Sequence, residues 1–206
     1  MPRPSRTSCN ETAMTLILEE AIRQRLNSRT RRTLEEPHFR RAAVLVPLFE
    51  ADGEAHLVFT KRSDTVDHHK GQVSFPGGSR DTTDASLLGT ALRETEEEIG
   101  LKASDVKVLG ALDDTVTMSN YVVSPFVGLI PHPYDFTISD FEIHELFTVS
   151  VSSLLAKENF HVVTAIRPGK PQPQYLFKAT RHVIWGTTGR ILYQFLNLCF
   201  RQPGSL

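Results

Sequence analysis

Cysteine is scarce in this 206-residue chain: Cys9 and Cys199 lie near opposite ends and form no CxxC pair or framework pattern. That excludes a disulfide-stapled scaffold and predicts a reducing, cytoplasmic setting. An excess of either charge is also missing. The 23 Lys and Arg oppose 24 Asp and Glu, for a formal net charge of -1, which excludes a general electrostatic grip on nucleic acid. No apolar run approaches the roughly 20 residues of a membrane span. Met1 to Ala13 lacks the apolar core of a secretory signal. Three chemical signatures are absent as well: GxxxxGK[ST], GxSxG and HExxH. Their absence argues against a P-loop nucleotidase, a serine hydrolase and a zinc protease. The single tryptophan, Trp185, is expected as a core anchor or as the lead-in to a helix.

What is present suits one domain, since single cores commonly span about 100–250 residues. Residues 1–41 hold nine Arg and five Glu, a solvated face or a positive rim for a phosphorylated ligand. Leu16, Ala21, Ile22 and Leu26 predict an amphipathic helix over 14–27. Ala42–Phe49 and Ala55–Thr60 read as strands joined by Asp52-Gly53, a hairpin signal. Leu87–Ile99 has helical spacing and stops at Gly100. Further strands are expected at 106–112, 122–130, 145–149, 160–166 and 174–178, and a last helix at 187–201. Strands outnumber helices, so the fold class is α/β of the α+β type, with a mixed sheet flanked by helices.

The informative stretch is Arg93-Glu94-Thr95-Glu96-Glu97-Glu98-Ile99-Gly100-Leu101. On a helix, Glu94, Glu97 and Glu98 fall on one face, with Glu96 nearly opposite. Like charges at i, i+3 and i+4 repel, and near a helix C-terminus the dipole disfavours anions. A bound cation relieves both penalties. Carboxylates without thiolate or imidazole suit hard ions, Mg²⁺ or Mn²⁺. Phe75-Pro76-Gly77-Gly78 precedes the helix, and its glycines allow close approach of backbone to a ligand. Arg93 lies beside the carboxylates and is a candidate to orient them from behind.

This segment resembles the Nudix box: Gly, five residues, Glu, seven residues, Arg-Glu, apolar, any, Glu-Glu, any, Gly, apolar. The half from Arg93 to Leu101 matches, with Thr95 in the apolar position. In the front half, Gly78 lies fifteen residues before Arg93 where the pattern has fourteen, and Asp84 precedes Ala85 at the Glu position. The departure resembles a one-residue loop extension. A second stretch, Leu57-Val58-Phe59-Thr60-Lys61-Arg62-Ser63 followed by Gly71-Gln72-Val73-Ser74-Phe75-Pro76-Gly77-Gly78, is similar to the motif of coenzyme A pyrophosphatases within the same superfamily. Its spacing fits throughout, although the motif's second Arg is Asp67 here. Residues 114–128 and 183–192 resemble the same subfamily.

The resemblance implies a Nudix-like α/β/α sandwich over residues 41–200, with residues 1–40 as a helical, basic extension packed on the same domain. It implies metal-dependent hydrolysis of the diphosphate of coenzyme A or its derivatives, giving 4′-phosphopantetheine and adenosine 3′,5′-bisphosphate. Other nucleoside diphosphate derivatives are the alternative substrates, and a non-catalytic nucleotide sensor the remote one. By the same resemblance Glu94 and Glu98 are the principal ligands of Mg²⁺ or Mn²⁺, Glu97 a further ligand or the base, and the Gly78 carbonyl a ligand candidate. Glu142 and Glu145 are candidates for activating water. Arg62, Arg41, Lys61, Lys70 and Gln72 are candidates for substrate binding. The expected partner is a small molecule, with no nucleic acid or membrane, and the chain is expected as a monomer or homodimer.

Overall fold

Alternation along one long strand organises the molecule. In β1 (Arg40–Ala51), Ala43, Leu45 and Phe49 enter one apolar cluster, whereas Ala42, Val46 and Leu48 enter a second. Side chains of a strand point alternately to its two faces, so the sheet carries a core on each side. The computed structural model describes residues 6–63, 71–167 and 170–201, with side chains for 14–63, 71–165 and 171–201.

β1 turns through Asp52-Gly53 into β2 (Glu54–Arg62), pairing Ala51 with Glu54. Both turn residues have positive φ, 52° and 78°, as a two-residue hairpin of this twist requires. β3 (Val73–Ser74) pairs antiparallel with β2, and β4 (Gly77–Ser79) pairs antiparallel with β1. After α2 (Leu87–Ile99) come β5 (Lys107–Ala111), β6 (Thr115–Val116) and β7 (Tyr121–Leu129). β7 runs parallel to β1 from Arg40↔Tyr121 to Leu48↔Leu129, while β5 and β6 pair antiparallel with β7. β8 (Ile143–Ser150) pairs with β2. The result is a mixed sheet of eight described strands with the path β3-β2-β1-β7-β5. A short α3 (Val151–Leu155) leads to a second sheet of β9 (Phe160–Arg167), β10 (Lys170–Ala179) and β11 (His182–Ile184).

Helices cover both faces of the large sheet. α2 brings Ala91 and Ile99 to the first cluster. α1 (Arg6–Asn27) and α4 (Gly186–Cys199) bring Ile22, Leu26, Ile191, Leu192, Phe195 and Leu196 to the second. This is the expected mixed-sheet sandwich. One sequence expectation is corrected, and for Trp185 one of two alternatives is decided, the lead-in to a helix. Leu16 and Ala21 are exposed, because α1 touches the body along the narrower stripe Leu18, Ile22, Leu26. Trp185 is 45% exposed; it caps the start of α4 and does not anchor the core.

A candidate metal-dependent active site

α2 begins where the Ser86 hydroxyl accepts the Gly89 N–H at 3.0 Å, an N-cap that satisfies one orphan donor. It ends at Gly100, whose N–H reaches Glu96 O at 2.9 Å. Thr95, in the position where the motif has an apolar residue, is fully buried. Its hydroxyl donates to the Ala91 carbonyl at 2.6 Å, so the side chain spends its polarity inside the helix and presents its methyl to the core. The last carbonyls of the helix are also occupied. Glu98 O accepts from Ser139 N–H at 2.9 Å and Ile99 O from Thr137 N–H at 3.1 Å. These bonds tie the segment carrying Glu142 to the acidic end of α2.

Arg93 holds four partners. Nε donates to Asp84 Oδ1 at 2.9 Å and Nη2 to Asp84 Oδ2 at 3.0 Å. Nη2 also lies 2.9 Å from Glu94 Oε1 and reaches the Ser79 carbonyl at 3.4 Å, and Nη1 donates to Glu97 Oε2 at 3.0 Å. The fork matched to Asp84 is the bidentate geometry that favours Arg over Lys. Asp84 accepts as well from Asp81 N–H at 2.8 Å and the Thr90 hydroxyl at 2.9 Å. Its Arg93 partner, seconded by the Asp81 N–H, holds the Asp84 carboxyl well below the usual carboxylate range. The longer loop therefore ends with Asp84 clamping Arg93.

The Glu98 side chain is 2% exposed. Its Oε2 accepts the Gly77 N–H at 3.0 Å, and Arg62 Nη1 lies 3.4 Å from Oε1. Burial pushes its pKa up to about 8, against the Gly77 N–H and the Arg62 charge and helped by Glu142 and Glu94. Burial also raises Glu94, with Arg93 opposing and Glu97 and Glu142 adding to the rise. Backbone forces the first glycine, and the second leaves room for the Glu94 carboxylate. At Gly77, φ is 144° and a Cβ would strike the Ala43 carbonyl; at Gly78 a Cβ would overlap the Glu94 carboxylate.

Glu142 and Glu94 thus bear on the buried Glu98 as like charges, and Glu142 and Glu97 on the half-buried Glu94. Such a set offers only oxygen donors and an excess of negative charge, which fits a hard divalent cation. Among the described residues, no three acidic, imidazole or thiol side chains converge as a closed cage. Glu97, with its side chain 57% exposed, is drawn towards Arg93 instead.

The other expected site residues fall elsewhere. Glu145 pairs with Arg181 at 2.6 Å and with His182 at 3.2 Å, and these partners lower its pKa despite partial burial. Only Glu142 of the two acts on the acidic helix. Arg41 donates to Leu34 O at 2.6 Å, Asp114 Oδ2 at 3.2 Å and Ser124 Oγ at 3.4 Å. Lys61 stands across the ladder from Glu145. The Gln72 carbonyl accepts the Arg62 N–H at 3.0 Å. Lys70 and Asp67 lie outside the described residues. The sequence reading missed Asp114, a buried carboxylate bonded to Arg31 at 2.6 Å, Arg41, Ser124 at 2.7 Å and the Leu34 N–H at 3.0 Å. The clustered arginines of the first 41 residues were its one visible signal.

A family model described as NUDIX domain matches residues 39–165. A protein named "Uncharacterized Nudix hydrolase NudL" from Photorhabdus laumondii is 37% identical over 155 residues, 75% of this chain and 82% of its own length. Its counterpart in Yersinia pestis is 41% identical over 153 residues, 74% of this chain and 76% of its own. Among solved structures, a MutT/nudix family protein from Enterococcus faecalis aligns with TM-score 0.54 at 13% identity, covering 86% of this chain and 72% of its own. A NUDIX hydrolase from Alicyclobacillus acidocaldarius aligns with TM-score 0.52 at 18% identity, covering 81% and 98%. The structural likenesses speak to the fold.

Proposed function

The chain belongs to the Nudix family of pyrophosphohydrolases, and on that premise we propose that it hydrolyses the diphosphate of coenzyme A or its derivatives. The observation that carries the reading is the meeting of two motifs at one carboxylate. Glu98, from the acidic helix, is touched by Gly77 and Arg62, which both belong to the stretch resembling coenzyme A pyrophosphatases.

Glu94 and Glu98 would hold Mg²⁺ or Mn²⁺, with the Gly78 backbone beside them. The ion, when bound, offsets the negative charge of the diphosphate and makes water a better nucleophile at neutral pH. Arg93 fixes Glu94 and Glu97 from behind, with Asp84 fixing Arg93 in turn. Glu142 faces Glu94 and Glu98 and takes the proton of the attacking water. The water oxygen joins one phosphorus, the bridging P–O bond breaks, and the two products leave as phosphomonoesters. Of the substrate-binding candidates, Arg41, Lys61 and Lys70 are the cations proposed for the 3′-phosphate, with Arg62 a further candidate from the sequence.

The test is a panel of diphosphates incubated with the purified chain and Mg²⁺ or Mn²⁺, with products separated by chromatography. The expected products are 4′-phosphopantetheine and adenosine 3′,5′-bisphosphate. If the 3′-phosphate is held by a charge-assisted contact of about 1.5–3 kcal/mol, coenzyme A should exceed dephospho-coenzyme A by roughly 10–150-fold in kcat/KM. Faster turnover of a nucleotide sugar, a dinucleotide or a nucleoside triphosphate would overturn the coenzyme A assignment.

A further inference from the structure

The two arginines at the acidic helix are held in opposite ways. Arg93 is locked by several bonds of 2.9–3.0 Å. Arg62 reaches Glu98 at 3.4 Å, long for a charge-assisted bond, which is typically about 2.7–2.9 Å. Its Nε is buried with no hydrogen-bond partner among the described residues. Arg29 and Arg31 also bury an unpaired Nε, but their other nitrogens are tightly bonded to Asp113 and Asp114. The Arg62 backbone, by contrast, is fixed. Its N–H donates to Gln72 O at 3.0 Å, and the next N–H, of Ser63, donates to Glu142 O at 2.8 Å. A fixed base thus carries a loosely held head.

In its ionised form, the form that a cation binds, Glu98 needs that head. Apart from the single N–H of Gly77, Arg62 is the one group of opposite charge that its carboxylate meets among the described residues. A buried carboxylate without a countercharge is strongly disfavoured. A divalent cation at Glu98 would displace and repel the guanidinium, because two cations cannot share one carboxylate oxygen without cost.

We propose that Arg62 serves as the stand-in countercharge of Glu98, yields the carboxylate to an arriving divalent cation, and then turns its donor fork to the diphosphate. The inference rests on the proposed function for the presence of a cation and a diphosphate at this site. It assigns Arg62 to the diphosphate and not to the 3′-phosphate. Two opposed consequences follow. Without substrate, Arg62 competes with the cation; with a diphosphate present, it helps to retain the ligand.

Calorimetric titration of Mn²⁺ alone, without substrate, into the wild type, Arg62→Gln and Arg62→Lys separates these effects. A second titration adds methylene diphosphonate, a non-hydrolysable diphosphate, to each Mn²⁺-loaded protein. Arg62→Gln should bind Mn²⁺ at least roughly 5-fold more tightly than wild type, the low end of site-to-site couplings, and bind the diphosphonate more weakly. Arg62→Lys keeps the charge and loses the fork, so its Mn²⁺ affinity should match wild type while its diphosphonate affinity falls. Equal or weaker Mn²⁺ binding in Arg62→Gln overturns the inference and leaves the hydrolase reading intact. If that variant does not fold, a changed Mn²⁺ affinity in Arg62→Lys overturns it equally. Absence of Mn²⁺ binding in every protein, wild type included, overturns both.

Discussion

Asp114 and Glu98 are equally hidden, with side-chain exposures of 0% and 2%, yet they meet opposite surroundings. Burial pushes the Asp114 carboxyl up, but the Leu34 N–H, the Ser124 hydroxyl and Arg31 outweigh it and leave the pKa lowered. Glu98 has one backbone donor and a distant guanidinium, and its pKa is raised to about 8. The first carboxylate is saturated and stitches the N-terminal segment to the sheet. The second is left short of positive charge. Burial of an acid therefore does not mark a cation site; the unsatisfied charge does.

Asp114→Asn should break the saturated side most severely. Removing its charge leaves Arg31 and Arg41 without their carboxylate; both are partly exposed, so the loss should lie towards the lower end of the about 3–5 kcal/mol that breaking a buried pair costs. Urea unfolding should show that loss, with Mn²⁺ affinity nearly unchanged. A loss below 1 kcal/mol would mean that the network is decoration.

Glu98→Gln should act the other way. Turnover should fall by more than the roughly 10–100-fold typical of residues behind a metal ligand, while the melting temperature in EDTA stays level or rises. The sign with pH follows from the raised pKa. Between the ordinary 4.5 and about 8, the native state keeps a proton on Glu98 that the unfolded chain has released. Stability of the metal-free wild type should therefore fall as pH rises through that window and level off above it. Glu98→Gln should flatten this slope. Asp114 contributes in the opposite direction, with stability present above its ordinary 3.8 and lost on further acidification. A metal-free wild type whose stability does not change between pH 5 and 8 would contradict the contrast.

Arg93→Lys tests a smaller part of the same site. It keeps the charge but cannot match both Asp84 oxygens, so metal affinity or turnover should fall by roughly 10–100-fold. A loss confined to substrate KM at saturating metal would instead place Arg93 on the substrate. The smallest effect is expected for Thr95→Val. The lost bond to Ala91 is satisfied within the helix, and such bonds contribute about 0.5–1.5 kcal/mol, partly regained by burying a methyl. Thermal denaturation of this variant should lie close to wild type.

The sequence made visible whatever depends on local periodicity. Apolar alternation marked β1 and β2, and Asp52-Gly53 marked their turn. The helical spacing of Leu87–Ile99 put the carboxylates on one face. It did not show what pairs across distance. β3, β6 and β11 are two or three residues long, too short to carry a period. Nothing local tells that β1 lies parallel to β7. The same limit applies at the site. Glu142 and Glu145 were equivalent candidates in one acidic stretch, and long-range contacts separate them: the bonds from residues 137 and 139 to the end of α2, and the pairing of Glu145 with Arg181 and His182. Asp84 could be seen beside the expected position, but its grip on Arg93 depends on how the longer loop folds.

The sheet divides the apolar interior into two clusters, and α2 rests on the smaller, with Ala43, Leu45, Val58, Ala91, Ile99 and Phe126. The terminal helices rest on the larger. Repacking near Phe195 or Leu192 thus alters heat tolerance through a compartment that the acidic helix does not touch. Adaptation to a warmer or colder habitat has a side of the molecule in which to proceed while the carboxylates keep their spacing.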